Sequence, residues 1–258
     1  MALLKILLLL LGLGVSVNSG VSRQKRIIGG QNCDDRERLY YVQLEFKRGN
    51  RKFGCGGSLI HSQWILTAAH CWKFSPGWTN VVKLRVHPSA AGEQSQVIRQ
   101  APEMYTHGDQ HHGIMLLKLQ TPVTDVPVAR LPDCNNRLKL GDTVRLAGEG
   151  PMRTAHIKQQ TIGSATPSHL QCVNMKVVKF SGYIPIFGHV FYVDAPIKYV
   201  CYVSLFLQYL PAVIRKADYG GAAMYNNMIY GVITLGHPHS ACQRPAAVID
   251  VCEYMEWI

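Results

Sequence analysis

Acidic residues are scarce in this chain: 16 aspartates and glutamates stand against 27 lysines and arginines over 258 residues. Four of the basic residues, Lys5, Arg23, Lys25 and Arg26, precede Ile27, so positions 27–258 keep 23 basic residues against the same 16 acidic ones. That excess favours encounters with polyanions or acidic surfaces without identifying any. After Val15 no segment reaches the length of a transmembrane helix, which argues against a membrane span in the body of the chain. There is no Asn-x-Ser/Thr sequon, so N-glycosylation is not expected. Phosphate-binding loops, dinucleotide fingerprints, nucleic-acid motifs, internal repeats and low-complexity linkers are all lacking. Nucleotide-driven chemistry and nucleic-acid binding are set aside on that basis.

One apolar run is present, Ile6 to Val15, behind Lys5 and ahead of the small-residue site Val17-Asn18-Ser19. A basic end, a short apolar stretch and a small-residue site are the parts of a secretory signal peptide, read here over residues 1–20. The run is short for a bilayer span. Residues 21–26 then form a short basic propeptide ending Arg23-Gln24-Lys25-Arg26, a form that a trypsin-like enzyme or a dibasic-specific convertase cuts. The expectation is a secreted, extracellular monomer without a membrane anchor in the mature chain. Positions 27–258 suit one all-β domain.

Alternating runs support that class. Tyr40-Tyr41-Val42-Gln43-Leu44-Glu45-Phe46 and Val81-Val82-Lys83-Leu84-Arg85-Val86 read as half-buried strands, and Ile114 to Leu119 does so in part. Glycine, proline and asparagine clusters separate such runs at short spacing, which points to barrels or a sandwich.

Four stretches carry chemistry. Arg26-Ile27-Ile28-Gly29-Gly30 is an activation-type junction, and Cys55-Gly56-Gly57-Ser58-Leu59-Ile60 is a strand signature. Leu66-Thr67-Ala68-Ala69-His70-Cys71 presents a histidine beside a cysteine, and Asp218-Tyr219-Gly220-Gly221 sets a tyrosine between an aspartate and two glycines. Together they resemble the trypsin/chymotrypsin family of serine proteases over nearly all of 27–258. The resemblance implies two six-stranded antiparallel barrels with a cleft between them. It also implies a short, truncated C-terminal helix from Cys252 to Ile258.

The eight cysteines suggest disulfides in a secreted chain. The resemblance implies the pairs Cys33–Cys172, Cys55–Cys71 and Cys134–Cys252. Closing the short Cys55–Cys71 loop is worth about 3 kcal/mol on the chain-entropy estimate. One family bridge is absent from both ends, where Val144 and Tyr225 stand. Cys201 and Cys242 have lost their family partners, Cys242 facing Arg215; they can pair with each other, stay free or link two chains.

Serine-protease chemistry needs a hydroxyl to attack, an imidazole to take its proton, and a carboxylate to orient that imidazole. His70 matches the imidazole. The carboxylate position holds Gly113, and the hydroxyl position holds Tyr219. A phenol normally titrates near pH 10 and carries its oxygen too far from the backbone to replace a serine. Its ring is expected to fill the cleft. Ala217 replaces the glycine of the oxyanion turn, Val213 the acidic residue of the specificity pocket, and Ala246 a glycine of the pocket wall. Loss of the nucleophile alone costs on the order of a million-fold. The expected function is therefore that of an inactive homologue which binds a protein, an extended peptide or a polyanion. The alternative is residual or unconventional hydrolysis that uses His70.

Three further features complete the reading. Ile27 and Asp218 match the family's activation pair, in which the ammonium created by cleavage after Arg26 meets the buried carboxylate. Lys47, Arg48, Arg51 and Lys52 crowd one hairpin, a candidate polyanion surface. Thr234-Leu235-Gly236 matches the strand that takes up peptide backbones by strand addition. Histidines 107, 111 and 112 precede Gly113, and 237 and 239 lie elsewhere, but no metal-ligand spacing stands out and no metal or cofactor is expected.

Overall fold

The computed structural model describes residues 31–148, 169–185, 187–194, 218–234 and 245–258. The signal peptide, Arg26, Ile27, Cys201, Val213, Arg215, Ala217, Leu235, Gly236, His237, His239 and Cys242 lie outside the described residues.

In chain order the strands are β1 Gln31–Asn32, β2 Tyr41–Arg48, β3 Arg51–His61, β4 Trp64–Ala68, β5 Thr79–Leu84, β6 Gln94–Ile98, β7 Glu103–His107 and β8 Gln110–Lys118. They continue as β9 Thr143–Gly148, β10 Gln171–Ile184, β11 Gly188–Asp194, β12 Ala222–Tyr225, β13 Met228–Ile233 and β14 Ala246–Asp250. The strands predicted over residues 40–46, 81–86 and 114–119 correspond to β2, β5 and β8, except that β2 begins at Tyr41, β5 ends at Leu84 and β8 ends at Lys118.

Two antiparallel sheets result. The first runs β6-β5-β2-β3-β4-β8-β7. The second runs β1-β10-β11-β14-β13-β12-β9, and a β10–β9 pairing closes six of its strands into a ring that the two-residue β1 joins from outside. This is the two-barrel, trypsin-like arrangement expected. The first sheet also counts seven strands, the outermost being β6 and β7.

Alternation explains the packing. In β2, Val42, Leu44 and Phe46 turn inward and are essentially inaccessible, while Gln43, Glu45 and Lys47 stay partly wet. Each such burial is worth roughly 1.5–3 kcal/mol. One apolar cluster runs from Leu44 and Leu59 in the first sheet to Val190, Val232 and Ile249 in the second, so the barrels share a core across their junction. A second cluster around Phe191, Tyr230 and Val248 fills the closed ring. The buried Tyr230 hydroxyl is shared between the carbonyls of Asp133 and Asn136, each 3.0 Å away.

All three expected disulfides are formed, Cys33–Cys172, Cys55–Cys71 and Cys134–Cys252. The missing bridge is accounted for by register. Ala223 faces Leu146 and Met224 faces Arg145, so the next step brings Tyr225 opposite Val144. Both side chains pack into the second cluster where a disulfide would otherwise stand.

The C-terminal element is a 3-10 turn, Val251–Tyr254, rather than a regular α-helix. The Asp250 carboxylate accepts from the Cys252 N–H and caps it. An α-helix this short is costly to nucleate; the buried Tyr254 and the Cys134–Cys252 link hold the turn instead. Among the described residues no helix is long and apolar enough to cross a membrane.

Candidate functional site

Strand β4 delivers Thr67 and Ala68 into the core, and the chain then tightens into a 3-10 turn, Ala69–Cys71. The Cys55–Cys71 bridge ties this turn to β3, and Lys73 donates to the His70 carbonyl at 3.2 Å. His70 is half-buried at the cleft. Burial, and then the charge of Lys73, push its imidazole down to about 4. It is a neutral, weakly basic ring near neutral pH.

The Asp218–Gly221 turn approaches from the second barrel. The Gly56 N–H donates to the Tyr219 carbonyl at 2.7 Å, and the Gly220 N–H donates to the Ile233 carbonyl at 2.8 Å. Gly220 has φ +80°, and a Cβ there would stand 2.1 Å from Thr67 Oγ1 and 2.2 Å from the Gly56 carbonyl oxygen. Only glycine supplies both the left-handed conformation and that closeness. The Gly-Gly step in β3 and the Gly-Gly step after Tyr219 are thus the two halves of one close backbone contact.

Onto this backbone the sequence places a phenol. The Tyr219 ring meets the His70 ring edge-on, with centroids 4.9 Å apart and planes at 82°. The ring therefore fills the space beside the imidazole, as expected. The Asp218 carboxylate lies against Gly148 at the end of β9, where a Cβ on Gly148 would come within 2.2 Å of Oδ1. Its expected partner Ile27 lies outside the described residues.

Gly113 sits in β8, fully within the fold. Its N–H donates to the Phe187 carbonyl at 3.2 Å, and a Cβ on it would stand 3.1 Å from Ile249 Cδ1 and 3.3 Å from the Phe187 oxygen. Any side chain at this position would press on the β10–β11 turn and on Ile249. Phe187 had no signal in the sequence, because this contact depends on how two distant hairpins meet.

The four cations of the β2–β3 hairpin are drawn together by register, Lys47 opposite Lys52 and Arg48 opposite Arg51. Like charges directly across a strand pair are unfavourable. Lys47 also pairs with Glu45. Thr234 is buried, with its N–H donating to the Ala247 carbonyl at 3.2 Å, so it belongs to the barrel wall. Ala246 opens β14 opposite Val193.

The histidines divide. His111 is exposed and shares a 3.1 Å contact with Thr106 Oγ1. His112 is buried against Tyr254, and its imidazole is held below the ordinary range by burial and then by the charges of His189 and His107. His189 escaped sequence reading because a lone histidine in an apolar strand carries no pattern.

Comparison with known proteins agrees with this geometry. The Trypsin family matches residues 27–258. Snake venom serine protease homolog 1 of Bitis gabonica is 29% identical over 273 aligned positions, covering 100% of this chain and 95% of that protein. Snake venom serine protease homolog rhinocerase 3 of Bitis rhinoceros is 30% identical, covering 90% and 86%. Serine protease 1 of Canis lupus familiaris is 27% identical, covering 95% and 94%. A solved structure described as "Structure of GrC" superposes with a TM-score of 0.65 at 24% identity, over 89% of this chain and 96% of that one, and speaks for the fold. With the cleft's backbone, the three disulfides and the match over 27–258 in agreement, the chain belongs to the trypsin family.

Proposed function

We propose that this chain is a secreted, catalytically inactive member of the trypsin family that works by binding a protein or polyanion. The observation that carries the reading is the edge-on packing of Tyr219 against His70 at the nucleophile's position. Acyl transfer requires an oxygen that His70 can deprotonate and that sits within reach of a bound carbonyl. A phenol at the cleft wall meets neither need, and no carboxylate at position 113 fixes the imidazole tautomer. Closure of the Gly113 space by Phe187 and Ile249 supports a site that has repacked around the loss.

Secretion is supported by the Met1–Gly20 segment and by relatives named for snake venom. Polyanion binding is supported by the paired cations at the end of the β2–β3 hairpin. Retention on a heparin column that falls when Lys47, Arg48, Arg51 and Lys52 are all changed to serine agrees with this; unchanged retention removes the hairpin from the account. Cleavage after Arg26 would free an ammonium at Ile27 for Asp218, so the family's ordering switch can operate without catalysis.

The alternative is residual hydrolysis, favoured by the presence of His70 on its disulfide-held turn. A serine-directed fluorophosphonate probe on chain cleaved after Arg26 tests the reading. No labelling is expected, and stoichiometric labelling contradicts it.

A further inference from the structure

Carboxylates are missing from one long stretch of the sequence: positions 46–92 contain no aspartate or glutamate, yet seven lysines and arginines fall inside them. Lys83 and Arg85 are answered by Glu45, Glu93 and Asp125 from outside the stretch, and Lys47 by Glu45. Arg48, Arg51 and Lys52 are exposed at the tip of the β2–β3 hairpin, and among the described residues no carboxylate pairs with them. Register sets Arg48 against Arg51 and Lys47 against Lys52, an unfavourable arrangement that an anion would relieve.

Aromatic side chains adjoin these cations. Loop 72–78, which follows the His70 turn, closes on Phe53 of β3. The Trp78 ring packs on the Phe53 ring with centroids 5.2 Å apart, and Lys73 Nζ stands 5.6 Å from the Phe53 centroid. The loop also reaches the hairpin tip, since a Cβ on Gly77 would lie 3.7 Å from Arg48 Nε. Pro76 precedes Gly77 at φ +84°, the combination of a sharp type II turn. Between the Lys73 and Trp78 anchors, Phe74 is 72% exposed, the most exposed large apolar side chain among the described residues. A single exposed apolar residue is ordinary on a protein surface. This one stands on the loop that touches the cationic tip.

A sulfated polysaccharide gains from the cations and nothing from the phenyl ring. An anionic bilayer gains from both, because its headgroups attract Arg and Lys while an aromatic side chain enters the boundary between headgroups and acyl chains. Tryptophan favours the same boundary, and the half-buried Trp78 lies four residues from Phe74.

We propose that the β2–β3 hairpin tip and loop 72–78 form a surface that docks on an anionic phospholipid bilayer. Arg48, Arg51 and Lys52 meet the headgroups, and Phe74 inserts between them. The proposal rests on the reading of this hairpin as a polyanion site and names the polyanion. Docking is peripheral and reversible, since a few cations and one inserted ring fall far short of a membrane span. Each cation near such a surface is worth roughly fivefold in affinity, and the attraction fades within a Debye length, so binding weakens as salt rises.

The test is sedimentation of the full secreted chain with vesicles of phosphatidylcholine alone and with vesicles containing about 30% phosphatidylserine. Binding is expected only to the anionic vesicles. Phe74→Ser should weaken it about tenfold while leaving heparin retention and the melting temperature unchanged, because the ring is exposed. Changing Lys47, Arg48, Arg51 and Lys52 together to serine should abolish vesicle binding and lower heparin retention. Absence of vesicle binding with heparin retention intact overturns the bilayer proposal and leaves the polyanion reading standing; absence of both removes that reading too. Vesicle binding that Phe74→Ser leaves unchanged also overturns the proposal, since the cations would then be serving any anion.

Discussion

The turn that carries His70 and the turn that carries Tyr219 meet at the same cleft from different barrels. The first retains its reactive side chain and its fastening, with the Cys55–Cys71 bridge on one side and Lys73 on its carbonyl. The second retains only its backbone. Gly56 and Ile233 still bind the main chain of residues 219–221, and Gly220 still adopts φ +80° between Thr67 and the Gly56 carbonyl. Nothing in those contacts depends on the side chain of residue 219. Backbone geometry and side-chain chemistry are therefore separable in this turn: close glycine contacts preserve the first whichever side chain stands at residue 219.

Gly220→Ala attacks the retained part of the second turn and should have the largest effect. Its Cβ meets two oxygens at 2.1 and 2.2 Å in a left-handed conformation. A loss of roughly 3–5 kcal/mol is expected, read by denaturant unfolding, with secretion falling accordingly. Gly113→Ala sharpens the comparison from the side of the lost carboxylate. Contacts of 3.1 and 3.3 Å force Ile249 or Phe187 to yield, at a cost of about 1–3 kcal/mol. A neutral result there would mean that the space for a carboxylate is still open.

Much of this was legible in the sequence, and the reason differs by residue. The strands around Leu44 and Val82 showed themselves because burial alternates with period two, whereas the one around Leu116 is buried on both faces and alternates only in part in sequence. The three disulfides and His70 were read from long motif matches in a recognisable family. Val144 and Tyr225, read from the family pattern as the two ends of one absent bridge, both pack into the second cluster. The repacking of Phe187 onto Gly113 and the grouping of His189 with His112 were not legible. Both depend on two hairpins far apart in sequence, and neither residue type nor local spacing encodes their meeting. The short terminal helix read over 252–258 from the family resemblance is present as a 3-10 helix, Val251–Tyr254.

Tyr219→Ala tests the ring contact itself. Loss of an edge-to-face pair should cost about 0.5–1.5 kcal/mol beyond the area exposed. Water then reaches His70, so its NMR titration should move up from about 4 toward the ordinary 6.5. An unmoved titration would place the cause of the shift elsewhere.

The pH dependence of the parent protein tests the same burial of His70 without any substitution. His70 stays neutral in the fold down to about 4, whereas in the unfolded chain it takes up a proton from 6.5. The unfolded state therefore binds more protons between those values, and the stability linked to His70 is full above 6.5 and lost as pH falls toward 4. His70→Asn should flatten this part of the melting-temperature profile. An unchanged slope would assign it to other groups.

Ester hydrolysis by the chain cleaved after Arg26, measured beside its His70→Ala variant, tests the central claim most directly. The account predicts that both proteins match the buffer rate. A rate above buffer that disappears in His70→Ala would contradict it, because the cleft would then still be performing hydrolysis around Tyr219.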